Sequence, residues 1–235
     1  MSRSVHEESG KIIKRKAVNL RGTFMRIKIK AAVCACMLVA MSLFSETSSE
    51  SFDSVCNKLA KHANTVGNFT QVKRINAAKR SLKSSGTFIF SLDGIMWKTL
   101  KPFPSIMAIG ITSIIQTAPD GKKTVIDVSK NQIFKSIAVT LSSVFSGNAE
   151  ALYTNFSVAY DIQQNRWKAD LTPKDSTVAA VMKTLIISGT VNTETATLDT
   201  IVMAESSGDI ITYTFTDQTY PQELTDAEKA NFSAE

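Results

Sequence analysis

The sequence contains few of the side chains that carry most catalytic and metal-binding chemistry. Its 235 residues include three cysteines and two histidines. Cys34 and Cys36 lie in an N-terminal apolar run, and only Cys56 follows that run, so no disulfide is expected in the rest of the chain. Near the second histidine, His62, there is no Cys/His cluster at metal-ligand spacing, and no Gly-x-Ser-x-Gly or phosphate-binding glycine motif occurs. We therefore expect no catalytic residue, no metal site and no cofactor, and we predict that the protein is not an enzyme.

The sequence also lacks an apolar run long enough to span a membrane. The run AAVCACMLVAMSLF, residues 31–44, is too short for a membrane span, which needs about 20 apolar residues. Nine lysines and arginines precede it and small polar residues follow it, an arrangement typical of a secretory signal. We predict a cleaved signal over residues 1–45 and an exported mature protein, with a signal anchor as the alternative. Because the basic stretch before the run is long, Met25 is an alternative start.

Net positive charge is confined to that predicted signal. The chain has 27 basic and 21 acidic residues, and residues 1–45 contain nine of the basic and two of the acidic ones, which leaves 18 and 19. The mature part therefore lacks the basic surface that nucleic-acid binding requires. Residues 46–235 are expected to form a single domain large enough to bury a core. Their near-zero net charge and single cysteine predict a soluble monomer without metal.

A helix is predicted at the beginning of the mature chain, over residues 51–66. Phe52, Val55 and Leu59 recur there at spacings of three and four, which is typical of one helix face. Gly67 follows and is expected to end the helix.

The two-residue period of β-strands begins at Asn68 and continues along most of the chain. Asp93-Gly94 and Asp120-Gly121 are tight-turn signals between alternating segments. Helical spacing interrupts the strands over residues 132–156, with a shorter helix after Gly147. We predict a single strongly curved antiparallel sheet whose concave side is covered by helices. The polar tail from Pro221 is expected to be only partly ordered.

Large apolar side chains occupy alternating positions on the predicted strands. They include Phe88, Phe90, Trp97, Ile109, Phe156, Val158 and Trp167. In most all-β proteins such residues fill the interior of a small barrel. Periodicity alone favours that interpretation over a cavity for acyl chains.

The order of several short motifs resembles that of the periplasmic outer-membrane lipoprotein carriers, the LolA/LolB-like family. In that family an amphipathic helix precedes a Phe-Thr-Gln strand, then a Gly-x-Phe/Leu strand, then a tryptophan shortly before a Thr-x-x-Pro turn. The matching residues here are Phe69, Thr70, Gln71, Gly86, Phe88, Trp97, Thr99 and Pro102. A Leu-Thr-Pro segment at 171–173 and the closing strands also match, so the resemblance covers nearly all of residues 52–215.

One departure separates the chain from most close family members. They carry an arginine-proline pair soon after the Gly-x-Leu strand, and the arginine latches a helical lid. Here that place holds Ser91, Leu92, Asp93 and Gly94. The chain therefore resembles a divergent branch, in which the latch is absent or built differently.

The resemblance implies a mainly β fold with helices, a half-open antiparallel β-barrel wrapped around a helical lid. It also implies a monomeric periplasmic carrier, which holds lipoprotein acyl chains in a hydrophobic cavity between an inner-membrane ABC lipoprotein-releasing transporter and an outer-membrane acceptor. The expected cavity residues are Phe88, Phe90, Trp97, Ile109, Phe156, Val158 and Trp167, and the expected lid residues are Phe134, Ile137, Leu141 and Phe145. A carrier of a free lipid or glycolipid, a lipid-acting hydrolase and a transmembrane β-barrel are the alternatives.

Overall fold

The computed structural model describes residues 50–110, 113–127 and 132–233, without the side chains of residues 132–135, 137 and 141. The described residues form eleven strands: β1 (Asn64–Ile75), β2 (Arg80–Ser91), β3 (Gly94–Lys101), β4 (Ser105–Ile109), β5 (Ser113–Thr117), β6 (Lys123–Asp127), β7 (Phe156–Gln163), β8 (Arg166–Pro173), β9 (Met182–Thr190), β10 (Thr200–Glu205) and β11 (Ile210–Thr219). The α-helices among them are α1 (Phe52–Leu59), α2 (Gln132–Phe145), α3 (Ala149–Asn155), α4 (Ser176–Ala179) and α5 (Asp226–Lys229), and a 3₁₀ turn at Ala230–Phe232 follows α5.

All eleven strands belong to one antiparallel sheet, in the order β6-β5-β4-β3-β2-β1-β11-β10-β9-β8-β7. Two meanders, β1–β6 and β7–β11, are joined where β1 pairs with β11. Within the described residues the outermost strands, β6 and β7, do not pair, so the sheet is not closed. Helices α2 and α3 connect these two edges, and α2 packs on β2 and β3. The predicted mainly β architecture with a single antiparallel sheet is confirmed.

The sheet is strongly curved, as ring distances across it show. Adjacent strands lie about 4.8 Å apart, so three strand steps span about 14 Å in a flat sheet. Trp97 on β3 and Tyr213 on β11 are three steps apart, yet their ring centroids are separated by 5.7 Å. Phe88 on β2 and Phe215 on β11 are two steps apart, with centroids separated by 4.7 Å. Curvature therefore brings side chains of distant strands together on the inner face.

The main core lies on this inner face. Alternation along β2 and β3 directs Phe88, Phe90, Ile95 and Trp97 inward, and all four are buried. Helices α1, α2 and α3 add buried side chains to the same core, among them Val144, which is fully buried.

A second, smaller core lies on the outer face of β1–β5. Its base is a cross-strand row of apolar residues: Val66, Ile89, Met96, Ala108 and Ile115. Leu224 and Phe232 of the C-terminal segment pack on this row. Both faces of these strands are therefore apolar and covered.

The leading helix is shorter than predicted. It spans Phe52–Leu59, and strand β1 begins at Asn64. Long-range pairing explains the difference, because Asn64–Gly67 align with Phe88–Ser91 of β2. Gly67 is therefore not a helix stop but a site of close approach, where a Cβ would lie 2.7 Å from the Thr216 carbonyl oxygen and 2.9 Å from the Phe88 ring.

The prediction for the tail was wrong for its described residues, 221–233. Thr225 forms a capping box with Glu228 at the start of α5, and this satisfies free N–H groups of the helix. Leu224 is buried just before it. The segment is polar in composition, but its apolar residues pack on the outer-face row of β1–β5, which lies far away in sequence. This packing gives the segment a defined structure.

Candidate functional site

The seven predicted cavity residues all lie on the inner face of the sheet. Phe88, Phe90, Trp97, Ile109, Phe156 and Trp167 are buried, and Val158 is half-buried against the same core. They fall into two groups, one on β2–β4 and one on β7–β8, which are opposite arms of the curved sheet.

The first arm forms an aromatic wall. The rings of Phe88 and Phe90 lie 4.6 Å apart, and Phe90 is also 6.1 Å from Trp97. Tyr213 and Phe215 of β11 complete the wall, since Phe215 contacts both phenylalanines and Tyr213 contacts Trp97. Neither β11 residue was among the predicted cavity residues. Alternation of Ile211, Tyr213 and Phe215 was the signal that could have identified them.

The second arm is covered by α1. The Phe52 ring lies 5.5 Å from Tyr160 on β7 and 6.4 Å from Trp167 on β8. Ser51 caps the helix by accepting a hydrogen bond from the Ser54 N–H, and Lys58 secures it at the other end. The Lys58 Nζ atom is 2.7 Å from Glu50 Oε2 and donates to the Asn192 carbonyl oxygen, also at 2.7 Å. Polar anchors therefore hold α1 in a fixed place over this arm.

Helix α2, the predicted lid, is held differently. Its Phe145 ring lies 4.6 Å from the Phe90 ring, and Val144 is fully buried. The hydroxyls of Thr140 and Ser143 donate back to carbonyls of the same helix. Described contacts between α2 and the sheet are therefore apolar and non-directional. The other predicted lid side chains, Phe134, Ile137 and Leu141, lie outside the described residues.

A cavity of about 160 Å³ opens beside α2 at the second arm. Its lining is mixed in polarity and consists of Ser136, Val139, Asn155, Phe156, Pro173, Asp175 and Val178. Phe156 is the predicted cavity residue that this opening reaches. The opening therefore lies along the edge of α2 and reaches the inner face at Phe156.

Burial disfavours the charged forms of three titratable groups in the interior. It raises the pKa of the Cys56 thiol, of Tyr160 and of Tyr213 to about 12 in each case. Between residues 50 and 233, the described side chains include no group of three or more His, Cys, Asp or Glu that could hold a metal ion. His62 stacks on Tyr220 at 3.7 Å, and burial lowers its pKa.

The turn that replaces the family arginine is exposed. Leu92, at its tip, has 76 % of its surface accessible. Gly94 has a positive φ of 138°, which completes the predicted turn between β2 and β3. The described ring contact that holds α2 on the sheet, Phe145 on Phe90, lies on the inner face.

Comparison with known proteins assigns the chain to a family. The family model of the outer membrane lipoprotein carrier protein LolA matches residues 60–229. The chain belongs to the LolA family. No curated protein matches the sequence.

Similar solved structures are distant in sequence. A domain assigned to outer membrane lipoprotein sorting from Vibrio parahaemolyticus is 8 % identical, with a TM-score of 0.46 over 77 % of this chain and 97 % of that one. A DUF1329 family protein from Desulfovibrio piger is 9 % identical, with a TM-score of 0.45 over 78 % and 95 %. A LolA superfamily protein from Nitrosomonas europaea is also 9 % identical, with a TM-score of 0.42 over 76 % and 97 %.

A helix that crosses a membrane needs about 20 apolar residues, and the described helices of this protein are shorter or more polar. In the part of the chain that the structure describes, none is both long and apolar enough to cross a bilayer.

Proposed function

We propose that this protein is a periplasmic carrier, which binds the acyl chains of lipoproteins between the inner face of its sheet and α2. Membership of the lipoprotein-carrier family supports the class of cargo. The observation that carries the proposal is the aromatic wall of Phe88, Phe90, Trp97, Tyr213 and Phe215 on a concave face that does not close. Such a face offers acyl chains a large apolar surface.

The way in which α2 is held supports a role as a lid. Apolar contacts such as Phe145 on Phe90 are not directional, so, as far as the described side chains of α2 are concerned, the helix can shift without breaking a hydrogen bond to the sheet. The strands beneath it keep their own hydrogen bonds during such a shift. Acyl chains would then replace the apolar side chains of α2 on the inner face.

The energy of lipid transfer limits how completely a carrier can bury its cargo. A triacylated anchor has about 45 methylenes, and burial at about 0.8 kcal/mol each would amount to about 36 kcal/mol. Reversible binding saturates near 18 to 21 kcal/mol. A carrier must therefore shield the chains incompletely, or offset part of their burial with the cost of displacing α2.

The proposed transport begins at the inner membrane and ends at the outer membrane. The basic and apolar segments before residue 45 support export by a cleaved signal, and the family supports the periplasm as destination. The carrier would load from an inner-membrane ABC lipoprotein-releasing transporter and unload to an outer-membrane acceptor, acting as a monomer without metal or cofactor.

Mass spectrometry of the protein purified from its native host, under conditions that retain ligands, tests the proposal. We expect acylated peptides or proteins in stoichiometric amount. Free phospholipid or glycolipid as the sole ligand would change the cargo while keeping the carrier. Turnover of an added lipid ester, in place of stable binding, would contradict the carrier function and favour a hydrolase. Absence of any lipid, in the isolated protein and after incubation with lipoprotein, would contradict the proposal as a whole.

A further inference from the structure

The two tryptophans of the chain differ in how their indole N–H groups are satisfied. Trp167 donates to two backbone carbonyl oxygens, Thr190 O at 3.2 Å and Thr197 O at 3.1 Å. Trp97 Nε1 is buried, yet it has no hydrogen-bond partner among the residues described. The whole Trp97 residue is only 7 % exposed. Burial without a partner costs about 1 to 3 kcal/mol, so native proteins satisfy nearly all such donors.

The position of Trp97 directs this donor into the candidate site. Its cross-strand neighbours are Phe88 on β2 and Met107 on β4, and its ring contacts are Phe90 and Tyr213. All of these lie on the inner face, where the proposed function places acyl chains. Within the aromatic wall, the Trp97 N–H is therefore the one buried donor that the described side chains leave unsatisfied.

The surroundings of Trp97 decide which acceptor it would take. None of its four neighbours carries a charge, and burial disfavours the ionised form of Tyr213 further by raising its pKa to about 12. An anionic acceptor, such as a phosphate or a free carboxylate, would lose its hydration here without a counter-charge, at high cost. A neutral carbonyl loses much less, and each acyl chain of a lipid carries one at its head.

We infer that the Trp97 indole N–H is a specificity determinant, which donates a hydrogen bond to the ester or amide carbonyl at the head of a bound acyl chain. This inference rests on the proposed function and adds to it a polar contact that fixes how far one chain enters the site. Hydrocarbon alone would slide along the aromatic wall. A carbonyl bonded to Trp97 sets the register of that chain.

A matched pair of lipids tests the contact. 1-Monopalmitoylglycerol has an ester carbonyl, and 1-O-hexadecylglycerol has the same chain with an ether methylene in its place. We expect the full mature protein to bind the ester about fivefold more tightly than the ether, as one neutral hydrogen bond predicts. In Trp97→Phe this preference should fall to about one, whereas Trp167→Phe should retain it.

Nuclear magnetic resonance gives a readout that a merely structural role would not change. The two tryptophans yield two indole N–H resonances, which the two phenylalanine variants assign. Ester binding should move the Trp97 proton downfield while ether binding leaves it nearly in place. Replacing Trp97 with benzothienylalanine, which keeps the ring shape and exchanges N–H for sulphur, should abolish the ester preference even if Trp97→Phe folds poorly.

The possible results separate this inference from the proposed function. Equal affinity for ester and ether in the unmodified protein, or an ester preference that survives loss of the Trp97 N–H, would overturn the inference and leave the carrier intact. Failure of both lipids to bind, with lipoprotein also unbound, would reject the carrier itself.

Discussion

Close contacts between strands leave no room for a side chain at particular glycines. A Cβ on Gly86 would lie 1.9 Å from the Lys98 carbonyl oxygen, at the register shift between β2 and β3. We predict that Gly86→Ala lowers the free energy of unfolding by about 3 kcal/mol, because the backbone of β3 must move. Gly110→Ala is the control, since its nearest contact is at 3.5 Å, and we expect a change within about 0.5 kcal/mol. Denaturant titration of both variants measures the difference, and equal stability would contradict the close approach.

The reactivity of the Cys56 thiol reports whether α1 stays packed on the second arm of the sheet. Burial first, and Asp53 second, raise the pKa of its thiol from 9.0 to about 12. The reactive thiolate at pH 8 is therefore about a thousandfold rarer than in the unfolded chain. We predict that a disulfide reagent labels the denatured protein within seconds and the native protein slowly, at the rate at which α1 opens. Rapid labelling of the native protein would show that α1 does not cover the second arm.

Tyr213 gives the protein a specific response to alkaline pH. Burial raises its pKa from 10.0 to about 12, so the folded state holds the proton more tightly than the unfolded state does. Its contribution to stability is therefore complete below pH 10 and is lost as pH rises toward 12. We predict that Tyr213→Phe flattens the fall in unfolding free energy between pH 10 and 12. Parallel curves for the variant and the unmodified protein would place the hydroxyl in solvent.

Among the elements, the C-terminal segment has a defined structural task. Leu224 is buried on the outer row of β1–β5, next to Phe232. We predict that Leu224→Ala lowers the free energy of unfolding by about 2 to 4 kcal/mol, as loss of a packed leucine does elsewhere. Glu223→Ala, at an exposed neighbouring position, should have little effect. If thermal melting did not distinguish the two variants, the tail would not be part of the fold.

Helix α2 is expected to control cargo exchange through Phe145. Removing this ring in Phe145→Ala deletes the contact with Phe90, so the helix should leave the sheet more often. An aromatic pair contributes about 0.5 to 1.5 kcal/mol beyond its buried area, which predicts release of a bound fluorescent fatty acid about tenfold faster. Ser142→Ala, an exposed position on the same helix, is the control. Stopped-flow displacement measures the rate, and unchanged release in Phe145→Ala would argue against the lid.

The elements also show which parts of the fold local patterns could predict. Strands β7 and β8 alternate clearly, and the inward direction of Trp167 followed from that alternation. On β2 and β3, which are buried on both faces, the two-residue spacing of Phe88 with Phe90 and of Ile95 with Trp97 placed each pair on one face, and the structure shows that this face is the inner one. The first residues of β1 could not be predicted, because Asn64–Gly67 take their structure from pairing with β2 and β11. The order of the tail depends in the same way on an outer apolar row that is assembled from five strands.

Prediction of the candidate site had a different limit. Alternation assigns residues to a face but does not say which strands the curvature brings together. Tyr213 lies more than 100 positions after Trp97, and their contact depends on the pairing of β1 with β11. Whether the Trp97 N–H group has a hydrogen-bond partner depends on the same three-dimensional arrangement. The lipid-contacting roles of Phe88, Phe90 and the other cavity residues stay predictions.

For the molecule as a whole, the inner face of the sheet differs chemically from the outer face of β7–β11. The inner face is aromatic and apolar beneath α1 and α2. On the outer face of β7–β11, a broad depression of about 730 Å³ is lined largely by polar residues such as Lys168, Ser188, Thr200 and Thr214. Acyl chains should therefore bind on one side only, and this asymmetry can be measured.

Photo-crosslinking with a diazirine-bearing fatty acyl chain, carried on a lipoprotein or lipid anchor, measures that asymmetry directly. After irradiation of the loaded mature protein, peptide mass spectrometry should place adducts on inner-face residues of β2, β3 and β11, with Phe88, Trp97 and Tyr213 among them. Excess unlabelled lipid should abolish these adducts. Adducts on the outer face of β7–β11, or labelling that excess lipid does not reduce, would contradict binding of acyl chains beneath α2.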